Sequence, residues 1–222
     1  MTEVKENQWN KNFVNYIEEN IFYKADGKAL RRGCDSALID ELKKDLEKNK
    51  DISILDFACG TGRLVSLLNE NDIDIKKNYQ GYDSSEAMIE KAMIKFSDLE
   101  FDFKEPNKNF DVIVCLDMLQ HLESKQEMID YINRIVAKAN KKAYFILWSG
   151  VGTSNIIDVY GSKFNEHFPS MFDIKFKLFE NVKNNHNVSF QSFNDIPYPT
   201  VLITVEKVIK GPISPKVIKE KE

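Results

Sequence analysis

Short unbroken apolar runs alternate along this chain with stretches in which apolar residues recur every three to four positions. The first kind reads as β-strand and the second as amphipathic helix. From Asp35 the positions Leu38, Ile39, Leu42 and Leu46 have helical spacing, with Asp35 or Ser36 expected as the N-cap and lysines gathering toward the far end. Strand "ISILDF" follows, then a helix from about Gly62 to Asn69, strand "YQGYD", helix "SSEAMIEKAMIKF" and strand "LEFDF". The alternation continues through strand "FDVIVCL", helix "SKQEMIDYINRIVAKAN" and strand "KAYFILWS". Strands this uniformly apolar belong to a parallel sheet covered on both faces, and right-handed crossovers make that sheet doubly wound.

The rhythm breaks after the fifth strand. "MFDIKFKLF" and "TVLITVEKV" both alternate, and no long helix separates them, so they are expected to pair as antiparallel strands, with "NVSFQSF" as a third short strand beside them. Residues 1–34 mix aromatic side chains with Asn and Glu and are expected to form a helical cap. The final "KGPISPKVIKEKE" offers little to bury and reads as a flexible tail over residues 211–222. A single domain is expected over residues 1–210, with residues 150–170 as a cover over a substrate.

Composition narrows the class. Of the 222 residues 42% are hydrophobic and 30% charged, and no apolar run approaches the ~18 residues that a membrane helix requires. The opening "MTEVKENQWNKNF" lacks the layout of a secretory signal, and Cys34, Cys59 and Cys115 have no zinc-like spacing, so a reducing, cytoplasmic setting is expected. A net charge of -4 supplies no general attraction for phosphate backbones, and the lysine-rich "ELKKDLEKNKD" is interleaved with acids.

The chemistry concentrates where the first strand ends. In "DFACGTG", Asp56, Ala58, Gly60 and Gly62 form a small-residue turn that leads straight into a helix, so a ligand can press on the backbone while free amides face it. Asp83 ends the second strand, roughly 20 residues beyond the glycines, where a carboxylate can accept from both hydroxyls of a ribose. With Ser84, Ser85 and Glu86 after it, Asp83 also reads as a helix N-cap. A dinucleotide loop needs a third glycine for helix-on-strand packing, and Val65 stands in its place.

The ordered set "ILDFACGTGRL", "GYDSSEAMIEKA" and "FDVIVCLDMLQHL" resembles the class I S-adenosylmethionine-dependent methyltransferases, from about Ile52 to Trp148 and loosely through the C-terminal strands. The resemblance implies a Rossmann-like α/β fold: a doubly wound seven-stranded sheet, mostly parallel, with an antiparallel C-terminal strand and a helical N-terminal cap. It implies S-adenosyl-L-methionine as cofactor, bound by Asp56, Ala58, Cys59, Gly60, Thr61 and Gly62, with Asp83, Ser84 and Met88 around the ribose. Alanine replaces a frequent glycine at Ala58. For adenine two readings compete: Asp102 with Phe103, which is preferred, and Asp98 with Leu99. Leu116, Asp117 and Met118 are implied cofactor neighbours, and Arg32, in a region that folds over the cofactor in relatives, is a candidate for the methionine carboxylate.

Some relatives associate a metal through a Glu-x-x-Glu-His arrangement. This chain has Asp117-Met118-Leu119-Gln120-His121, whose neutral Gln120 suits a hard cation poorly, so no metal is expected. His121 is the candidate general base. Tyr23, Tyr160 and His167 are candidate substrate contacts, and Trp9, Phe13 and Tyr16 are further aromatics of the cap. The expected activity is methyl transfer to an oxygen or nitrogen of a small-molecule acceptor such as a sugar, a quinone-like aromatic or an amine. A noncatalytic cofactor-binding partner subunit is the alternative. A nucleic-acid methyltransferase is disfavoured by the charge and by the lack of an Asn/Asp-Pro-Pro-aromatic signature after strand four.

Overall fold

The computed structural model describes residues 32–122, 124–149, 170, 173–195 and 199–208. Of the cap expected over residues 1–34, residues 1–31, including Tyr23, lie outside them, as do Tyr160, His167 and the tail, while residues 32–34 begin the first described helix.

Helix α1 (Gly33–Lys48) precedes β1 (Ile54–Phe57), α2 (Arg63–Asn69), β2 (Tyr79–Tyr82), α3 (Glu86–Lys95), β3 (Glu100–Asp102) and β4 (Phe110–Leu116). A single 3-10 turn, Leu119–His121, leads to α4 (Lys125–Lys138), β5 (Ala139–Trp148), a π-helical turn at Ile174–Leu178, α5 (Glu180–Lys183), β6 (His186–Phe193) and β7 (Thr200–Lys207). The seven strands form one sheet in the order β3-β2-β1-β4-β5-β7-β6. Strands β1 to β5 are parallel, and β7 runs antiparallel to both β5 and β6. The doubly wound sheet with an antiparallel C-terminal strand is therefore present.

Alternation along the central strands divides the core in two. Ile54, Val112, Val114, Tyr144, Ile146 and Leu202 pack with Leu38 and Leu42 of α1 and Leu64 and Leu68 of α2. Their strand neighbours Leu55, Ile113, Phe145, Leu147 and Ile203 face the other way, onto Met128, Ile132 and Ile135 of α4 and Phe179 beyond the π-turn. Each buried aliphatic or aromatic side chain contributes about 1.5–3 kcal/mol. With helices on both faces, strand order reverses beside β1, which opens a crevice outside the carboxyl ends of β1 and β4.

Three expectations change. The described part of "MFDIKFKLF", from Asp173 onward, is helical and not a strand, and β7 pairs instead with "NVSFQSF", Phe190 opposite Ile203. Ile174, Leu178 and Val182 are buried at a helical spacing while Phe176 is 58% exposed, so the apparent alternation of Phe172, Ile174, Phe176 and Leu178 is broken by solvent. The N-cap of α1 is Arg32, and Asp35, at the third helical position, accepts from the Arg32 backbone N–H at 2.8 Å. The N-cap of α3 is Ser85, whose hydroxyl accepts from the Met88 N–H. Asp83 serves the turn before it, accepting from the Ser85 N–H at 2.9 Å.

Candidate functional site

Strand β1 delivers Asp56 to its carboxyl end and the chain then turns through Ala58 (φ 60°), Gly60 (φ 54°) and Gly62 (φ 87°) before α2 begins. Three left-handed residues in five fold the backbone back on itself, and at Ala58 this costs about 1–2 kcal/mol. Asp117, just past β4, is left-handed as well (φ 52°). Strain gathered at the ends of two adjacent strands is the pattern of a site rather than of plain packing.

The two glycines differ in surroundings. Among the described residues a Cβ at Gly60 would meet no atom within 4 Å, whereas one at Gly62 would lie 2.6 Å from the Phe96 ring. Gly60 thus keeps its backbone open to space, and Gly62 lets α2 lie against the segment after α3. Beside Gly60 stands Asp83, whose Oδ2 accepts from the Gly60 N–H at 2.9 Å while Oδ1 accepts from Ser85. Burial raises the Asp83 carboxyl above its usual range, and the two N–H donors pull it back down. Each oxygen keeps a second lone pair for a hydroxyl. An open backbone floor with a partly buried carboxylate at its side fits a ribose-bearing ligand.

Asp56 is buried and accepts from the Tyr79 hydroxyl at 2.9 Å. Burial pushes its carboxyl up to about 7, with Tyr79 and Arg63 lowering it and Asp83 raising it. Cys59 is buried, its thiol directed at the Gly60 carbonyl, and burial pushes that thiol well up, so it is packing rather than a nucleophile. The Thr61 hydroxyl and the Gln120 amide are buried, and among the described residues neither has a hydrogen-bond partner. Met88 packs in the first turn of α3, and Ser84 is exposed beside Asp83.

The two adenine candidates lie at opposite edges of the sheet. Asp102 ends β3 opposite Tyr82, its carbonyl accepting from the Asp83 N–H, on the same edge as Gly60, with half-exposed Phe103 next to it. Asp98 precedes β3 and pairs with Lys76 on the surface at the other edge, and Leu99 stands beside it.

After β4, Leu116, Asp117 and Met118 are partly buried at the crevice. Asp117 receives the guanidinium of Arg32 in a two-pronged contact, at 3.1 and 2.6 Å. Arg32 also donates to Asp35, so its guanidinium is held by two carboxylates of the chain itself, an arrangement absent from the sequence expectation. Asp35 in turn accepts from both terminal nitrogens of Arg63, at 3.1 and 2.6 Å. Burial alone would raise the Asp35 carboxyl; the Arg63 and Arg32 charges outweigh it and hold it low. Sequence reasoning passed over Arg63 and cast Asp35 as a cap. The overlooked signal was a cation in the first turn of a helix, where the dipole disfavours it unless an acid answers. Burial pushes the His121 imidazole down to about 4, against the opposing pull of the Asp117 carboxylate and backbone, so the ring is neutral near pH 7.

Comparison with known proteins agrees with this geometry. Residues 28–174 match the family model described as a methyltransferase domain. A ubiquinone biosynthesis O-methyltransferase of Rickettsia bellii is 26% identical over 72% of this chain and 71% of its own length. A ubiquinone/menaquinone biosynthesis C-methyltransferase of Campylobacter jejuni is 25% identical over 53% of this chain and 52% of its own. In fold the chain is similar to the magnesium protoporphyrin IX methyltransferase of Synechocystis PCC 6803, solved with S-adenosylhomocysteine bound, at a TM-score of 0.67 and 16% identity, covering 92% of this chain and 98% of that one. A strand order reversing at a glycine turn, an acidic residue ending the second strand and a family match over most of the chain lead to one conclusion: this protein belongs to the methyltransferase-domain family, among the class I S-adenosylmethionine-dependent methyltransferases.

Proposed function

We propose that the protein transfers a methyl group from S-adenosylmethionine to an oxygen or nitrogen of a small-molecule acceptor, with oxygen favoured by the relative named as an O-methyltransferase. The observation that carries this reading is the open backbone at Gly60 beside the partly buried Asp83 carboxylate. The cofactor supplies a methyl on a positively charged sulfur, an excellent leaving group. The chain's tasks are then to align the nucleophile, hold the ligand and keep water out.

In this reading Asp83 accepts from the ribose hydroxyls, with Ser84 and Met88 beside them, and Asp102 and Phe103 border the adenine. Asp56, Ala58, Cys59, Gly60, Thr61 and Gly62 form the floor, and Leu116, Asp117 and Met118 the wall toward β4. For an oxygen acceptor, His121 takes the proton late, once methylation has made it strongly acidic, so a neutral imidazole whose own pKa is about 4 is a sufficient base. Tyr23, Tyr160 and His167 are proposed acceptor contacts. A cytoplasmic protein suits the three free, buried cysteines, and no helix among the described residues is long and apolar enough to cross a membrane.

The test is calorimetric titration with S-adenosylhomocysteine. Wild type should bind, and Asp83→Ala, shown to be folded, should bind at least tenfold more weakly, because hydrogen bonds to a charged group are worth about 1.5–3 kcal/mol each. NADH should not bind, since Val65 replaces the glycine a dinucleotide loop requires. Binding of NADH in place of S-adenosylhomocysteine would overturn the reading.

A further inference from the structure

Four buried charges join three separate segments at the β1–β4 side of the crevice. Arg32 caps α1, Asp35 lies in its first turn, Arg63 opens α2 directly after Gly62, and Asp117 follows β4. The side chains are each 9% exposed or less, and Asp35 is fully buried at the centre, holding both arginines. Arg63 also reaches toward Asp117 at 3.7 Å. The four charges sum to zero, so the cluster carries no net charge into the crevice. A second tether acts on the same helix start: Asp195, from the segment before β7, accepts from the Gly33 N–H at 2.7 Å and from the Cys34 N–H, and also takes the Thr200 hydroxyl.

The order of strands orients a ligand along this edge. With ribose on Asp83 at the end of β2 and adenine toward Asp102 at the end of β3, the rest of the ligand runs past Gly60 toward β4. That direction ends at the Arg63–Asp117 side. We propose that Asp35 and Arg63 are positioning residues for the amino-acid end of the methyl donor: they fix Arg32 on Asp117, and so hold the start of α1 and the turn after β4 at the separation that the zwitterionic end requires. The inference rests on the cofactor reading above. It assigns neither residue a direct contact with the ligand, because Asp35 is sealed behind Arg32 and Arg63.

A buried ion pair loses most when one partner alone is removed, because the other charge stays buried. The informative variant therefore removes an acid and a base together: Asp35→Leu with Arg63→Met, which leaves Arg32 and Asp117 to balance each other. The probes are S-adenosylhomocysteine, which carries the amino-acid end, and 5′-methylthioadenosine, which lacks it. Wild type should bind both. The double variant should lose at least tenfold in affinity for S-adenosylhomocysteine and change less than twofold for methylthioadenosine. Equal losses for the two probes, or no loss for either, would show the cluster to be a fold element only and overturn the inference while leaving the cofactor reading intact. Failure of wild type to bind either probe removes the cofactor reading itself, and the inference with it. Amide hydrogen exchange on wild type is a second readout that needs no substitution. S-adenosylhomocysteine, and not methylthioadenosine, should slow exchange in the first turns of α1 and α2; equal protection by both ligands counts against the proposal.

Discussion

A Cβ at Gly62 would come within 2.6 Å of Phe96, while one at Gly60 would meet no atom of the described residues within 4 Å. The same substitution should therefore fail in two different ways. Gly62→Ala adds a clash to the cost of left-handed backbone and should lower stability by about 2–4 kcal/mol in urea unfolding. Gly60→Ala should cost about 1–2 kcal/mol in stability and weaken S-adenosylhomocysteine by at least tenfold, because its methyl would enter the space where the proposed function puts the ligand. Asp56 offers a pH test. Its carboxyl is raised from 3.8 to about 7, so between those values the folded protein holds a proton that the unfolded chain releases. This contribution to stability is complete below about pH 4 and is lost as pH rises through about 7. Relative to wild type, Asp56→Asn should gain stability on the order of 2 kcal/mol between about pH 5 and pH 8; a constant difference between the two proteins across that range would show that Asp56 titrates normally. The glycines and Asp83 were legible in the sequence because their spacing follows from backbone sterics and strand position. The partners of Arg32 and Asp35 were not, because Asp117 lies 85 positions from Arg32 and nothing local marks the pairing.

The helices start where their caps permit. Ser124 precedes α4 and its hydroxyl accepts from the Glu127 N–H at 3.1 Å, which satisfies one donor that the helix cannot. Ser124→Ala should cost about 1 kcal/mol, read as a shift in the urea midpoint, with S-adenosylhomocysteine affinity unchanged because α4 packs on the face of the sheet and not at the turn after β1. Where periodicity and caps agreed, as in α4 and β4, the elements were legible almost to their ends. "MFDIKFKLF" was misread because period-two alternation over few residues does not distinguish a strand from a turn of helix with one exposed aromatic. Its short run of buried Ile174, Leu178 and Phe179 packs under the sheet beside Phe145 and Phe190, a tertiary demand that local pattern does not record.

Across the whole molecule, the two core clusters clamp the sheet from both faces and leave its carboxyl edge to the turns after β1, β2 and β4, which meet through Asp83 on Gly60 and through the Arg32–Asp117 and Arg63–Asp35 contacts. The sheet itself was legible, since uninterrupted apolar strands between amphipathic helices permit few other arrangements. A ligand that spans these turns binds the folded state and has no site on the unfolded chain, so it must add to stability by mass action. At a free concentration one hundred times its dissociation constant, S-adenosylhomocysteine should add about 2.7 kcal/mol, which for a chain of this size corresponds to a rise in Tm of about 5–10 °C. The rise should follow the logarithm of ligand concentration in a thermal scan. Asp83→Ala, with affinity at least tenfold weaker, should shift by about 1.4 kcal/mol less at the same concentration. The Asp35→Leu, Arg63→Met double variant should show the same deficit with S-adenosylhomocysteine and none with 5′-methylthioadenosine. A thermal shift that stays the same in both variants and with both ligands would mean that the ligand binds elsewhere than along this edge.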